Sequence, residues 1–177
     1  MTRAPDPRGL TCELLAFNTI NPPGMERACA RHLGAILEGA GFAVEYHEFA
    51  ESRTSLIARI GGHPAKPPLC FTGHIDTVPL GAAPWTRDAF AGETDGDRIY
   101  GRGSTDMKSG IAAFVAAAVE LAPHLARSPG LVLVITAGEE IGCEGARDLA
   151  DRDLLGRAGA IVEIGRASCR ERVSTDV

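Results

Sequence analysis

The chain has 177 residues, 18 Lys and Arg against 23 Asp and Glu, a net charge of −5 and 45% hydrophobic residues. That length suits one domain with a full core, and the apolar content excludes disorder. The 21 Gly and 11 Pro follow no period, which excludes a fibrous repeat, and no basic cluster suggests nucleic acid as a partner.

Taken in chain order, Met1–Arg8 reads as a loose end with two prolines. It carries no charged-then-apolar leader, so a cytoplasmic location is expected. Thr11–Phe17 offers one or two helical turns, and Asn21-Pro22-Pro23-Gly24 stops them and starts the next element. From Met25 to Leu37 the residues Ala28, Cys29, His32, Leu33, Ile36 and Leu37 recur at three- and four-residue steps, which predicts an amphipathic helix closed near Gly39 and Gly41. Phe42–Phe49 alternates as a strand, with Phe42, Val44 and Tyr46 on one face.

Leu56–Ile60, Leu69–Phe71 and Leu131–Ile135 read as central strands covered on both faces. A long loop is expected over Pro79–Arg98. The helix predicted from about Ser109 to Leu121 is so apolar that it must pack on most sides. Its longest apolar stretch, Ile111–Val119, is far short of the ~20 residues of a membrane span, so no membrane association is expected. Ala158–Val162 reads as a last strand. Strands alternating with helices predict an α/β layered domain, without internal repeats. The cysteines Cys12, Cys29, Cys70, Cys143 and Cys169 are odd in number and scattered, as expected of reduced thiols. Cys70 and Cys143 are expected to be small buried residues.

Three segments could carry chemistry. In Gly73-His74-Ile75-Asp76-Thr77-Val78-Pro79, an extended chain would point His74 and Asp76 to the same face. His-x-Asp can then supply a metal-binding imidazole and the carboxylate that orients it. Read alone, the same residues also fit a strand-end turn with a solvated Asp. Tyr100-Gly101-Arg102-Gly103-Ser104-Thr105-Asp106-Met107-Lys108 leads into the apolar helix. It fails the phosphate-loop pattern, because Arg102 and Met107 stand where glycines are required. Asp106 fits either a cation ligand or a helix N-cap. In Gly138-Glu139-Glu140-Ile141-Gly142, adjacent carboxylates at a strand end invite repulsion unless a cation sits there, and a solvated acidic turn is the alternative.

All three follow a strand or precede a helix, at the edge where α/β domains place their sites. A His, Asp and Glu set without cysteine suits zinc, with cobalt or manganese as alternatives. His32, His47, His63 and His124 are read as structural, without matching carboxylates, and Trp85 as loop packing. A nucleotide-binding α/β domain and a non-catalytic fold that has lost its site are the competing classes.

The order and wording of these motifs resemble the M20 metallopeptidase family, in its acetylornithine deacetylase and succinyl-diaminopimelate desuccinylase branch, from about Leu14 to Val162. The resemblance implies a layered zinc-peptidase-like α/β catalytic domain with a central mixed, mostly parallel sheet flanked by helices, here truncated. It implies two zinc ions, with His74 binding the first, Asp106 bridging both and Glu140 binding the second. It also implies Asp76 behind His74, a cis bond between Asp106 and Met107, and Glu139 as the general base that takes a proton from water and passes it to the leaving amine. The expected reaction removes an acyl group from an N-acyl amino acid such as N-acetylornithine. N-succinyl-diaminopimelate desuccinylase or an M20 dipeptidase or carboxypeptidase is the alternative. The resemblance implies a homodimer for the full-length form.

The family needs two further ligands, an acidic residue in a Gly-Glu-Pro motif after the next strand and a distant histidine. Glu163, in Val162-Glu163-Ile164-Gly165, falls one residue early, no Pro follows, and the histidine is absent. Glu163–Val173 matches the in-frame translation of a common sequencing-library adapter. Residues 1–162 are therefore expected to be the N-terminal part of the catalytic domain, and residues 163–177 a non-native tail. With three of five ligands, the chain as written is expected to be inactive.

Overall fold

The computed structural model describes residues 3–63 and 65–165. The first helix, α1 (Pro7–Leu15), starts earlier than the composition of the N-terminus suggests. Asp6 caps it by accepting a hydrogen bond from the Gly9 amide at 2.9 Å, and Pro7 occupies the first turn, where its missing N–H costs nothing. The predicted amphipathic helix is α2 (Arg27–Gly39), which buries Cys29, Ala30, Leu33 and Leu37. A hairpin follows, β1 (Ala43–Ala50) and β2 (Arg53–Ile60), and then β3 (Leu69–His74).

The loop expected over Pro79–Arg98 ends in a two-stranded hairpin, β4 (Glu93–Asp95) with β5 (Arg98–Tyr100). The apolar helix is α3 (Lys108–Leu121), continued by a 3₁₀ turn over Ala122–Arg127. Together they are apolar and long enough to cross a membrane by composition alone. Ile111, Phe114, Val115, Ala118 and Val119, however, are buried in the core against the sheet. The remaining elements are β6 (Leu131–Thr136), α4 (Glu144–Asp151) and β7 (Ala160–Glu163).

The main sheet runs β1-β2-β6-β3-β7. Its β1–β2 and β2–β6 pairs are antiparallel, and its β3–β6 and β3–β7 pairs are parallel. The sheet is mixed, as expected, with equal parallel and antiparallel pairings among the described residues rather than a parallel majority. Period-two alternation divides β6 between two cores. Leu131, Leu133 and Ile135 pack with α1, α2 and α3, while Val132 and Val134 pack with Ile57, Cys70 and Leu149 of α4. The result is a three-layer α/β/α domain.

The chain thus has the mixed α/β fold with helices on both faces of a central sheet. The last strand differs from its neighbours: all four residues of β7 are exposed. The expected boundary after Val162 falls inside β7, and residues 166–177 of the expected tail lie outside the described residues.

Candidate metal centre

Strands β3 and β6 are parallel and in register, with His74 opposite Thr136. Their C-terminal ends therefore lie at one edge of the sheet, and the residues that follow them must meet there. His74 closes β3 and is only 4% exposed, and Asp76, two residues on, is fully buried. The turn after β6 carries Glu139 and Glu140. Its Gly138 has φ +73°, a left-handed conformation that favours glycine, and its open side lies against the Arg53 guanidinium. The loop before α3 supplies Asp106, whose peptide bond to Met107 is cis, as expected. The N-cap position of α3 belongs to Met107, and no capping bond from Asp106 to α3 is present among the described residues, so the N-cap alternative does not describe Asp106.

The three motifs converge. One potential ligand atom from each of His74, Asp106 and Glu140 lies within 4.8 Å of the others. His74 Nε2 is 3.2 Å from Asp106 Oδ1 and 3.7 Å from Glu139 Oε2, so Glu139 stands at the rim of the same cluster. Glu163, the candidate for a further acidic ligand, pairs with Thr72, two residues short of His74, and is outside the cluster. A cleft of about 260 Å³, lined by residues 101–106, opens beside Asp106.

Asp76 is the hub behind this cluster, not the solvated turn residue that the motif alone allowed. Its Oδ1 accepts the Glu139 amide at 3.0 Å and lies 3.5 Å from His74 Nδ1. Its Oδ2 accepts the Glu140 amide at 3.1 Å and the Asn21 side-chain amide at 2.9 Å. Burial alone would push the Asp76 carboxyl up, but these donors reverse that and hold it at about 2. Burial likewise works against a charged His74, yet the Asp76 hydrogen bond and charge raise the imidazole to about 9. The Nδ1 edge is also within 3.0 Å of the Asp76 carbonyl, which leaves Nε2 turned toward Asp106. Burial pushes the Glu140 carboxyl above its ordinary value, against the His74 charge, and Asp106, Glu139 and Asp76 push it further the same way.

This donor set fits a cation. One imidazole is oriented by a buried carboxylate, while Asp106, Glu139 and Glu140 crowd negative charge at a partly open edge. The nitrogen and oxygen donors are suited to a divalent metal, and the ring orientation matches that of an imidazole ligand with its second nitrogen occupied.

An ion network buttresses the acidic turn. Arg53 Nε donates to Glu26 Oε2 at 2.9 Å, and Nη1 is 3.4 Å from Glu144 in the first turn of α4. The Glu144 amide in turn donates to the Gly138 carbonyl at 2.8 Å. Sequence reasoning missed Glu26, Arg53, Glu144 and Asn21, because each acts across a long sequence separation. The one local signal, a polar Asn ahead of Pro22-Pro23, fits a helix stop equally well.

The other assignments divide. His32 and His47 do have carboxylate neighbours, Glu13 at 3.0 Å and Glu45 at 3.7 Å, but single ones outside any cluster among the described residues. Trp85 packs in its loop, its indole N–H donating to the Leu80 carbonyl at 3.0 Å with the Arg102 guanidinium over its ring. Cys70 is buried, but Cys143 is exposed: it occupies the left-handed N-cap position of α4 at the tip of the acidic turn, where no core covers it. Cys12, Cys29, Cys70 and Cys143 are all free.

A family model for Peptidase family M20/M25/M40 matches residues 70–172, more than half of the chain and across the expected boundary at Val162. Succinyl-diaminopimelate desuccinylase from Cereibacter sphaeroides (strain KD131 / KCTC 12085) is 39% identical over 171 residues, covering 95% of this chain and 44% of its own length. The chain thus spans under half the length of this curated relative. Among solved structures, the M20 family metallo-carboxypeptidase Sso-CP2 from Sulfolobus solfataricus superposes with TM-score 0.76 at 23% identity, over 92% of this chain and 38% of that one. YXEP from Bacillus subtilis, described as a dinuclear metal binding peptidase from the M20 family, gives 0.64 at 21% identity over 89% and 41%. With its three motifs gathered at one sheet edge and its sequence matched by the family model, the chain belongs to Peptidase family M20/M25/M40.

Proposed function

We propose that the chain is the N-terminal part of a metal-dependent amidohydrolase that cleaves the amide of a small N-acyl amino acid. The observation that carries this reading is the convergence of His74, Asp106 and Glu140 within 4.8 Å, with Glu139 at the rim. His74, Asp106 and Glu140 would hold two zinc ions, with cobalt or manganese as alternatives, and Asp106 would bridge them. The relative named as dinuclear supports that count. Bound there, the metals would polarise the scissile carbonyl and make water a competent nucleophile near neutral pH.

The protein's own part is orientation and proton movement. Asp76 fixes the His74 ring so that Nε2 faces the cluster. Glu139, 42% exposed and on the open side, takes the proton of the attacking water on its carboxylate and delivers it to the leaving amine. Hydrolysis breaks the C–N bond, forms a C–O bond and yields a carboxylate and a free amine.

The relatives favour a different acyl group from the one first expected. They are named for removal of succinate from N-succinyl-diaminopimelate, so we take this substrate class ahead of N-acetylornithine. The outer face of β7, unpartnered among the described residues, supports a longer catalytic domain. Ile161 is 68% exposed, and an apolar groove of about 390 Å³, lined among others by Leu69, Phe71, Leu121, Leu125 and Ala160, runs beside it. We place the end of native sequence near Val162, and propose a cytoplasmic, homodimeric full-length enzyme and an inactive 177-residue chain.

Resequencing the source DNA across the Val162 and Glu163 codons, then assaying the longer product, tests this reading. Metal-dependent release of succinate from N-succinyl-diaminopimelate is expected, with slower release of acetate from N-acetylornithine. A faster acetate release would reverse the substrate order. Efficient turnover by the 177-residue chain would overturn the truncation.

A further inference from the structure

Asn21 lies in a segment that the chemistry above does not use. It is buried, at 1% exposure, and its backbone is already well held. Its amide donates to the Thr77 carbonyl at 2.8 Å, the Thr77 amide donates to the Thr19 carbonyl at 3.0 Å, and the Thr19 hydroxyl donates to the Ile75 carbonyl at 2.6 Å. The side chain is therefore not needed to fasten the segment. Its Oδ1 is buried without a hydrogen-bond partner among the described residues, which is a cost that a leucine of similar shape would avoid. Among the described residues, the one bond the side chain makes is from Nδ2 to Asp76 Oδ2, at 2.9 Å.

That bond completes the setting of Asp76. The Glu139 and Glu140 amides reach its two oxygens from the acidic turn. Asn21 reaches it from a second, independent segment 55 residues away. Three donors from two segments fix both the position and the plane of the carboxylate, and this plane sets how Oδ1 meets His74 Nδ1. With the Asn21 donor removed, the carboxylate keeps its two amides but is free to pivot on them.

We propose that Asn21 is a positioning residue for the metal centre: it orients Asp76, and through Asp76 it orients the His74 ring toward the metal. This inference rests on the metal-centre reading above. Carboxylates behind a metal-binding histidine matter for affinity by about 10- to 100-fold, and Asn21 is expected to act at the lower end of that range.

The test is calorimetric titration of the metal-free chain with zinc, and with cobalt followed by its visible absorption, at a temperature well below each variant's Tm. Asn21→Leu is expected to weaken both metals about 10-fold and to alter the cobalt spectrum, while Asn18→Ala, an exposed amide three residues away, leaves both unchanged. In an Asp76→Ala background, Asn21→Leu is expected to cost nothing further, because the two act in series. Should Asn21→Leu not fold, Asn21→Asp keeps the shape, removes the donor and is expected to weaken binding at least as much. A lowered Tm with unchanged metal affinity and spectrum would overturn the proposal and leave Asn21 as packing. If the unmodified chain binds neither metal, the metal-centre reading itself fails.

Discussion

Strand β3 has two parallel neighbours in the same register, and they could hardly differ more. Leu69 pairs with Leu131 of β6 on one side and with Ala160 of β7 on the other. All six residues of β6 are buried between two cores, whereas all four of β7 are exposed. Both are short strands with branched apolar residues, though the run in β7 is shorter and ends at Glu163. The difference lies in what covers them: α3 and α4 close over β6, and nothing among the described residues closes over the outer side of β7. The site draws on the covered side only, since His74 ends β3, Asp106 precedes α3, and Glu139 and Glu140 follow β6. The cluster can therefore be well ordered while the outermost strand beside it stays exposed.

Mutations should expose this asymmetry. The largest effect belongs to Leu133→Ala in β6, which removes a fully buried side chain and is expected to cost about 2–5 kcal/mol, read by denaturant unfolding. His74→Ala is next. It is expected to weaken zinc binding by more than 100-fold in calorimetry while leaving the fold intact by circular dichroism, and unchanged binding would remove the metal centre from this edge. At the other extreme, Ile161→Lys in β7 should change stability by less than about 0.5 kcal/mol and should reduce self-association, measured by light scattering. A large loss of stability from Ile161→Lys would mean that β7 is covered after all.

A pH experiment sharpens the same contrast within the buried region. The Asp76 carboxyl is depressed, so the stability it contributes is present above 3.8 and is lost as the pH falls toward about 2. Burial raises the Glu26 carboxyl above 4.5, despite its Arg53 partner. Its contribution has the opposite sign: it is present below 4.5 and lost as the pH rises through the raised value. Two slopes of opposite sign are expected in the acid range of a pH–stability curve. Glu140 is raised as well and adds to the upper slope, so Glu26→Gln should make that slope shallower without touching the lower.

Much of this was legible because the chemistry sits in short contiguous motifs. Gly73-His74-x-Asp76 announces both the imidazole and its carboxylate, and the runs Leu131–Ile135 and Ile111–Val119 announce the layers that hold them. Two small elements stayed hidden. The hairpin β4–β5, Glu93-Thr94-Asp95 against Arg98-Ile99-Tyr100, lies on the surface and shows no apolar alternation. The eight-residue α4 buries only Gly145 and Leu149, too few to show a helical period. Asn21 and Arg53 were illegible for a different reason: their partners Asp76 and Glu144 lie 55 and 91 residues away, and only the fold brings them together.

Lys108 carries one more consequence. It is buried at the start of α3, its carbon stem in the core, and burial lowers its pKa. Its ammonium donates to the carbonyl of Leu14, in the last turn of α1, at 3.0 Å and to that of Phe17, just beyond it, at 2.7 Å. Its own amide donates to Gly103 at 2.9 Å. One side chain thus ties the segment that leads to Asn21 to the loop that presents Asp106. Neither can open to solvent without stranding a buried charge, so the two should open as a unit. In deuterium-exchange mass spectrometry, peptides covering 14–19 and 103–108 should take up label together, at a common rate slower than that of β7.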